Sequence, residues 1–165
     1  MGIVFRMGAS GNGFAQYNLT GVATVVAQPL QEETTMKDKG AEMLQRMLGP
    51  SRAKEVRAGW SKLSPDFENF VTNFLVSDVW SRPNLELKIR SLITIAASVA
   101  LGRVNGLRLH IEMALQNGAT KDEIMETILH LAFYAGFPAC WDALVIADEV
   151  FCRLESAGKK LRTAA

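Results

Sequence analysis

Apolar residues recur at helical spacing over almost the whole chain from Met36 onward. Ser64 and Pro65 are a typical N-cap and first helical residue, and the apolar positions that follow predict a helix up to Trp80. Thr120 and Glu123 have the spacing of a capping box, which predicts a further helix ending near Gly136. No part of this body alternates with the period of a strand. The pattern therefore predicts an all-α domain of six or seven helices.

The same spacing predicts the other helices at about 37–48, 52–62, 86–101 and 106–117, with a last helix that starts at Pro138 and frays near Gly158. The helix at 86–101 is apolar on all sides, which predicts a position at the centre of the core. It is too short for a membrane span and contains Lys88 and Arg90. Short helices with this much apolar surface predict a homo-oligomer.

Residues 1–35 differ from the body, because they are rich in glycine and carry few charges. We predict a flexible extension, or one draped on a neighbouring subunit, before a helical domain at 36–158 and a C-terminal tail at 159–165. An ordered extension could form a short strand near 22–27. Residues 3–5 lead into a glycine-rich run at 8–13, but no amphipathic helix follows, so we reject a dinucleotide-binding loop.

Composition narrows the function classes. The 165 residues suit one domain, and 18 Lys and Arg against 17 Asp and Glu leave a formal net charge of +1, which argues against a nucleic-acid binder. No apolar run reaches membrane-spanning length.

Cys140 and Cys152 lie on one predicted helix, about 18 Å apart, so no disulfide is expected and a cytoplasmic location is predicted. Two Cys and two His match no zinc-ligand spacing, so we expect no metal.

Arg103 and His110 are the strongest candidates for chemistry. They lie seven residues apart, which is two turns along one helix face. A guanidinium can hold a carboxylate, and an imidazole can move a proton near neutral pH. The simpler interpretation of the same residues is a buried core histidine and a cap at the end of a helix.

Several other polar or aromatic residues are candidates for a binding site. Glu123, Thr127, His130 and Tyr134 share one helix face, which faces solvent or lines a cavity. Trp141 and Asp142 follow the turn at Pro138 and could face a pocket.

Arg90 lies within the most apolar helix. A charge at such a position requires a buried carboxylate partner or an anionic ligand. Glu112 and Asp78 are the candidate partners.

Five segments in order resemble the 4-carboxymuconolactone decarboxylases of the alkylhydroperoxidase-D-like superfamily, over about Gly40 to Leu154. They are residues 80–85, 90–96, 107–110, 117–124 and 134–139. The resemblance implies an all-α fold and ring-shaped homo-oligomers, either trimers or hexamers built from two trimers. It also implies active sites near the contacts between subunits.

The peroxidase branch of this superfamily carries a Cys-x-x-Cys motif where this chain has Arg103 and Gly106. Thiol–disulfide chemistry is therefore excluded at this position. The resemblance also implies that the decarboxylase branch has an arginine at the position of Arg103. That branch often has an acidic residue where Gly106 stands. The glycine therefore removes an acid and changes the shape of the expected substrate pocket.

The resemblance implies a decarboxylase without cofactors that acts on an unsaturated lactone or a related cyclic carboxylic acid. Arg103 would anchor the anion and His110 would act as general acid or base. The substrate-binding candidates are His130, Tyr134, Trp80, Arg90, Trp141 and Asp142. The alternatives are a non-redox lyase, isomerase or cyclase for a larger polyketide-like substrate, and a non-catalytic oligomeric binder of small molecules.

Overall fold

The computed structural model describes residues 4–5, 13–17, 23–27 and 30–158 with positions 161 and 163, and side chains from Lys39 onward. It divides into two compact units, Met1–Asp38 and Lys39–Ala165.

The first unit contains a three-stranded antiparallel sheet in the order β1-β2-β3. Its strands are β1 (Val4–Phe5), β2 (Gly13–Tyr17) and β3 (Ala23–Ala27). In the register, Val4 is opposite Gln16, and Gly13 is opposite Ala27. β3 lies where the sequence allowed a strand, and β1 leads into a second strand instead of a helix. The placement of this extension on a neighbouring subunit stays a prediction.

Every element described after residue 27 is helical. The elements are α1 (Leu30–Leu48), α2 (Pro50–Leu63), α3 (Pro65–Phe70), a π-helix (Val71–Trp80), α4 (Leu87–Ala100), α5 (Val104–Gln116), α6 (Lys121–His130), α7 (Ala132–Ala135) and α8 (Phe137–Ser156). The π-helix continues α3, and α7 continues α6 beyond Leu131, so the described elements amount to seven helices. The predicted all-helical body is confirmed, although α1 starts seven residues before the predicted position.

Local signals explain where several helices begin and end. The Ser64 hydroxyl accepts the Phe67 N–H at 3.2 Å at the start of α3. Thr120 and Glu123 make both bonds of the predicted capping box, at 3.0 and 2.8 Å. Gly49 separates α1 from α2 with a φ of 82°, a conformation that favours glycine.

Two apolar clusters form the core, and α5 contributes to both. The first includes Ile95, Ile111, Ile124 and Ala147 from α4, α5, α6 and α8. The second joins α1, α2 and the π-helix to α5 through Leu44, Met47, Ala53, Trp80 and Met113. The helix that carries Arg103 and His110 is therefore held from both sides.

The prediction that α4 is buried on all sides is wrong for the described chain. Ser91, Ile95 and Val99 are buried, whereas Ile93 is 54% exposed. An apolar pattern records which residues avoid water, and it does not distinguish burial within one chain from burial between chains. No helix among the described residues is long and apolar enough to cross a membrane.

Candidate active site on α5

Arg103 and His110 are both positioned by α5. Arg103 is the N-cap residue, and its backbone N–H donates to the Ser98 carbonyl at 2.8 Å. Seven residues of helix place His110 about 10.5 Å further along the axis, on nearly the same face. The Arg103 residue is exposed, whereas His110 is partly buried.

The first turn of α5 is suited to an anion. No side chain caps its backbone N–H groups in the described structure. The N-terminal end of a helix carries a partial positive charge, and the Arg103 guanidinium adds a full one. A carboxylate bound there would meet both.

His110 lies against Trp80, the last residue of the π-helix. The two rings are parallel within 2°, with centroids 6.4 Å apart, and the indole is 8% exposed. The structure therefore brings together two of the predicted site residues that are thirty positions apart. Burial lowers the pKa of His110 from its ordinary value of 6.5, which favours the neutral ring.

The two ring nitrogens of His110 have different surroundings. Nδ1 is buried and has no hydrogen-bond partner in the part of the chain that the structure describes. Nε2 lies over the preceding turn, where a methyl group built on Gly106 would be 3.9 Å away. Position 106 therefore contributes no side chain to this side of the ring.

His130 lines a groove of about 730 Å³ between α4 and α6, and not the surroundings of His110. Leu92, Ile93 and Ala96 contribute the α4 wall. Glu123 and Thr127 from the predicted polar face also line it, so this face does border a cavity. Three carboxylates also line the groove, from Asp122, Glu123 and Glu126, and Glu123 is paired with the Lys88 ammonium at 2.9 Å.

Tyr134 lies beside His130, with ring centroids 5.1 Å apart, and is 76% exposed. Trp141 and Asp142 are exposed in the first turns of α8. We use the name aromatic surface for Phe133, Tyr134, Phe137 and Trp141, all of which are strongly exposed. A substrate-binding role for these residues stays a prediction.

The predicted environment of Arg90 is wrong. The side chain donates to two backbone carbonyls of the preceding turn, Leu85 at 3.1 Å and Arg82 at 2.9 Å. The residue is only partly buried, so it requires neither a carboxylate nor an anionic ligand. Its role is to hold the turn before α4, and contact with substrate stays a prediction.

Glu112 is not the partner of Arg90 but the centre of another ion-pair network. Its carboxylate accepts from Arg52 at 2.8 and 3.2 Å and from Arg153. Burial raises the pKa of Glu112, but the two arginines outweigh it and leave the pKa lowered. The network joins α2 and α8 to α5, and no local signal could predict it because the partners are 60 and 41 positions away.

The sequence predicted neither a metal site nor a disulfide. Among the described residues, no group of three or more His, Cys, Asp or Glu side chains is arranged to hold a metal ion. Cys140 is buried and Cys152 exposed, and both are free thiols.

Comparison with known proteins shows which family the chain resembles. The model of the Carboxymuconolactone decarboxylase family matches residues 65–149. A 4-carboxymuconolactone decarboxylase of Acinetobacter baylyi is 42% identical over 123 residues, or 74% of this chain and 92% of that enzyme. The nitrosuccinic acid decarboxylase npaB of Metarhizium robertsii is 28% identical over 76% of this chain and 87% of its own length.

Fold and comparisons together define the class of protein, a decarboxylase of the carboxymuconolactone decarboxylase type. The chain belongs to the Carboxymuconolactone decarboxylase family.

Proposed function

We propose that the chain removes carbon dioxide from an unsaturated lactone or a related cyclic carboxylic acid at the site on α5. The match to a 4-carboxymuconolactone decarboxylase over nearly that enzyme's whole length carries this proposal. The first turn of α5, which carries Arg103 and has no side-chain cap from the described residues, supports binding of an anion, and His110 supplies a polar group two turns further on.

Such a substrate contains its own electron sink. When the bond to the carboxylate carbon breaks, its electron pair passes into the conjugated lactone carbonyl and gives a dienolate, and a proton then adds at a distant carbon. We therefore propose a reaction without a cofactor. Arg103 anchors the anion, His110 interacts with the reacting conjugated system, and the buried Trp80 lies beside the imidazole.

A second candidate substrate class is an acyclic acid in which an electron-withdrawing group is attached to the carbon that bears the carboxylate. The relative named nitrosuccinic acid decarboxylase supports it. Gly106 also supports it, because the absent side chain leaves room beside His110 for a substrate of another shape. A lactone acid larger than 4-carboxymuconolactone could occupy the same space beside His110.

We also propose that the active protein is a homo-oligomer, a trimer or a hexamer, in the cytoplasm. Exposed apolar side chains on α4 and the aromatic surface support association of identical chains. A neighbouring subunit would then contribute to the pocket near α5. The free thiols are compatible with a reducing compartment.

Incubation with 4-carboxymuconolactone and, separately, with nitrosuccinic acid tests the function. Carbon dioxide release and loss of the ultraviolet absorbance of the lactone are the readouts. We expect turnover of one acid, reduced about 10²–10³-fold in kcat by His110→Ala. Arg103→Ala should raise KM, because it removes the anchor of the anion.

Arg108→Ala is the matched control, because Arg108 is an exposed arginine on α5 that pairs with Glu149. It should leave turnover unchanged. Binding of both acids without turnover of either would contradict the enzymatic proposal in favour of a non-catalytic binder. Turnover that survives both Arg103→Ala and His110→Ala would contradict the site.

A further inference from the structure

The two nitrogens of His110 differ in a way that determines where its proton resides. A neutral imidazole has one N–H donor and one nitrogen acceptor, and the tautomer decides which is which. Nδ1 is buried without a partner among the described residues, while Nε2 lies on the side of the ring that faces Gly106.

A buried N–H without an acceptor is rarer in proteins than an acceptor without a donor. The tautomer with hydrogen on Nδ1 would bury such an N–H, and the imidazolium would bury one with a positive charge. The tautomer with hydrogen on Nε2 leaves only a lone pair unpaired at Nδ1. The neighbouring indole of Trp80, with its centroid 6.4 Å from that of the imidazole, carries an N–H donor and no acceptor.

The surroundings of Nε2 point the same way. Gly106 is the third residue of α5, and among the described residues no side chain caps the first turn of this helix. An oxygen that approaches Nε2 over Gly106 therefore enters the positive end of the helix dipole as well. That position favours an acceptor that carries negative charge, and an acceptor there needs a donor at Nε2.

We propose that His110 acts as a neutral imidazole in the Nε2–H tautomer, and that it donates a hydrogen bond to the substrate oxygen on which negative charge develops. The inference rests on the proposed function and changes the role of His110 from proton carrier to stabiliser of the dienolate oxygen. Preorganised donors of this kind stabilise charge that is absent from the ground state. A neutral histidine near a helix N-terminus is known to act in this way in other enzymes. The proton that adds to the dienolate carbon then comes from water.

The tautomer can be measured without substrate by ¹⁵N NMR of protein labelled at histidine. The chain has two histidines, and spectra of a His130→Gln variant assign the His110 signals. We expect a protonated Nε2 that couples to both carbon-bound ring hydrogens, and an Nδ1 signal far downfield from it at neutral pH. A protonated Nδ1, or two equivalent nitrogens of an imidazolium, would overturn the proposal.

Two amide substitutions test the role during turnover. The side-chain nitrogen of Gln can take the place of Nε2, whereas the shorter Asn can replace only Nδ1. We expect His110→Gln to keep clearly more kcat than His110→Asn or His110→Ala, with Ala reduced about 10²–10³-fold. Thermal unfolding of all three variants serves as the control for folding.

The outcomes separate this inference from the proposed function. If the wild-type protein turns over neither acid, the proposed function fails, while the NMR spectrum still tests the tautomer. If turnover is present and His110→Gln is as slow as His110→Ala, His110 must carry a proton and the donor role is wrong. Full turnover by His110→Ala would overturn the role as well.

Discussion

At the scale of single residues, Gly106 and His110 show how one missing side chain shapes a site. A methyl group at position 106 would lie 3.8 Å from Cδ2 and 3.9 Å from Nε2 of His110, which is ordinary van der Waals contact. Alanine therefore fits in the folded protein, but it occupies the space that we assign to the substrate.

Gly106→Ala should affect stability and activity in opposite directions. Position 106 lies in the first turn of α5, where Ala costs less backbone entropy than Gly, so the free energy of unfolding should rise by about 0.4–1 kcal/mol. KM should rise because the methyl group crowds Nε2. Urea denaturation and steady-state kinetics measure the two effects. An unchanged KM for the turned-over acid would show that substrate does not enter this space.

The lowered pKa of His110 gives a second prediction, on pH. Burial lowers the pKa from 6.5, so the unfolded chain takes up a proton at this residue before the folded chain does as the pH falls. The contribution to stability is therefore complete above pH 6.5 and decreases below it. Protonation would place a charge and an unpaired N–H at the buried Nδ1, and we expect this to disturb the site, so kcat/KM should fall only below pH 6.5.

Profiles of kcat/KM and of the urea midpoint against pH check this prediction. The decrease in kcat/KM at low pH should disappear in His110→Gln, whose amide does not titrate. If the decrease persists at the same pH in that variant, another group causes it.

At the scale of elements, α5 is fixed by contacts that lie far apart in the sequence. Glu112 links it to Arg52 on α2 and to Arg153 on α8. The π-helix delivers Trp80 to His110, and π-helical segments occur often at functional sites. The apolar spacing predicted a helix up to Trp80, but it did not reveal the wider turn.

The close contact between α1 and the π-helix gives an element-scale prediction. A Cβ atom on Gly40 would lie 2.1 Å from the carbonyl oxygen of Thr72, so the two backbones must move apart in Gly40→Ala. We expect a loss of about 1–3 kcal/mol in the free energy of unfolding. Activity should fall as well, because the π-helix carries Trp80.

Gly59→Ala is the control for this variant. Gly59 lies within α2, and no atom of the described residues lies within 4 Å of an added Cβ atom, so the substitution should stabilise the protein by about 0.5–1 kcal/mol. Chemical denaturation of both variants separates the steric effect from helix propensity. Equal stability of the two variants would contradict the tight contact.

At the scale of the whole molecule, the second unit exposes apolar side chains on more than one face. Ile93 lies on α4 at the groove, and Phe133 is 82% exposed. Exposed apolar surface of this kind usually marks an interface. The homo-oligomer that we propose would bury these side chains between chains, which agrees with the apolar pattern of α4.

Light scattering after size-exclusion chromatography tests this interpretation. We expect a trimer or hexamer for the wild-type chain, and a smaller particle for Ile93→Lys, because a buried charge without a partner destabilises an interface. Gln116→Lys, at an exposed polar position on α5, is the control and should leave the mass unchanged. A monomeric wild-type chain at all concentrations would contradict the proposed assembly.

The sequence by itself determined the features that arise from neighbours along the chain. The helices, the capping box at Thr120 and the break at Gly49 follow from contacts within a few residues, so their ends were predicted to within a few residues, except for the start of α1. The placement of Arg103 and His110 on one helix face follows from the same local geometry. The family could also be identified from short segments in order.

Only the tertiary structure decided which distant residues meet. It placed Trp80 against His110, surrounded Glu112 with Arg52 and Arg153, and turned Arg90 toward backbone carbonyls. A helical period specifies the face on which a side chain lies, but the partner on that face depends on how the helices pack. The tautomer and the lowered pKa of His110 depend on that packing, because both arise from the groups that surround the ring.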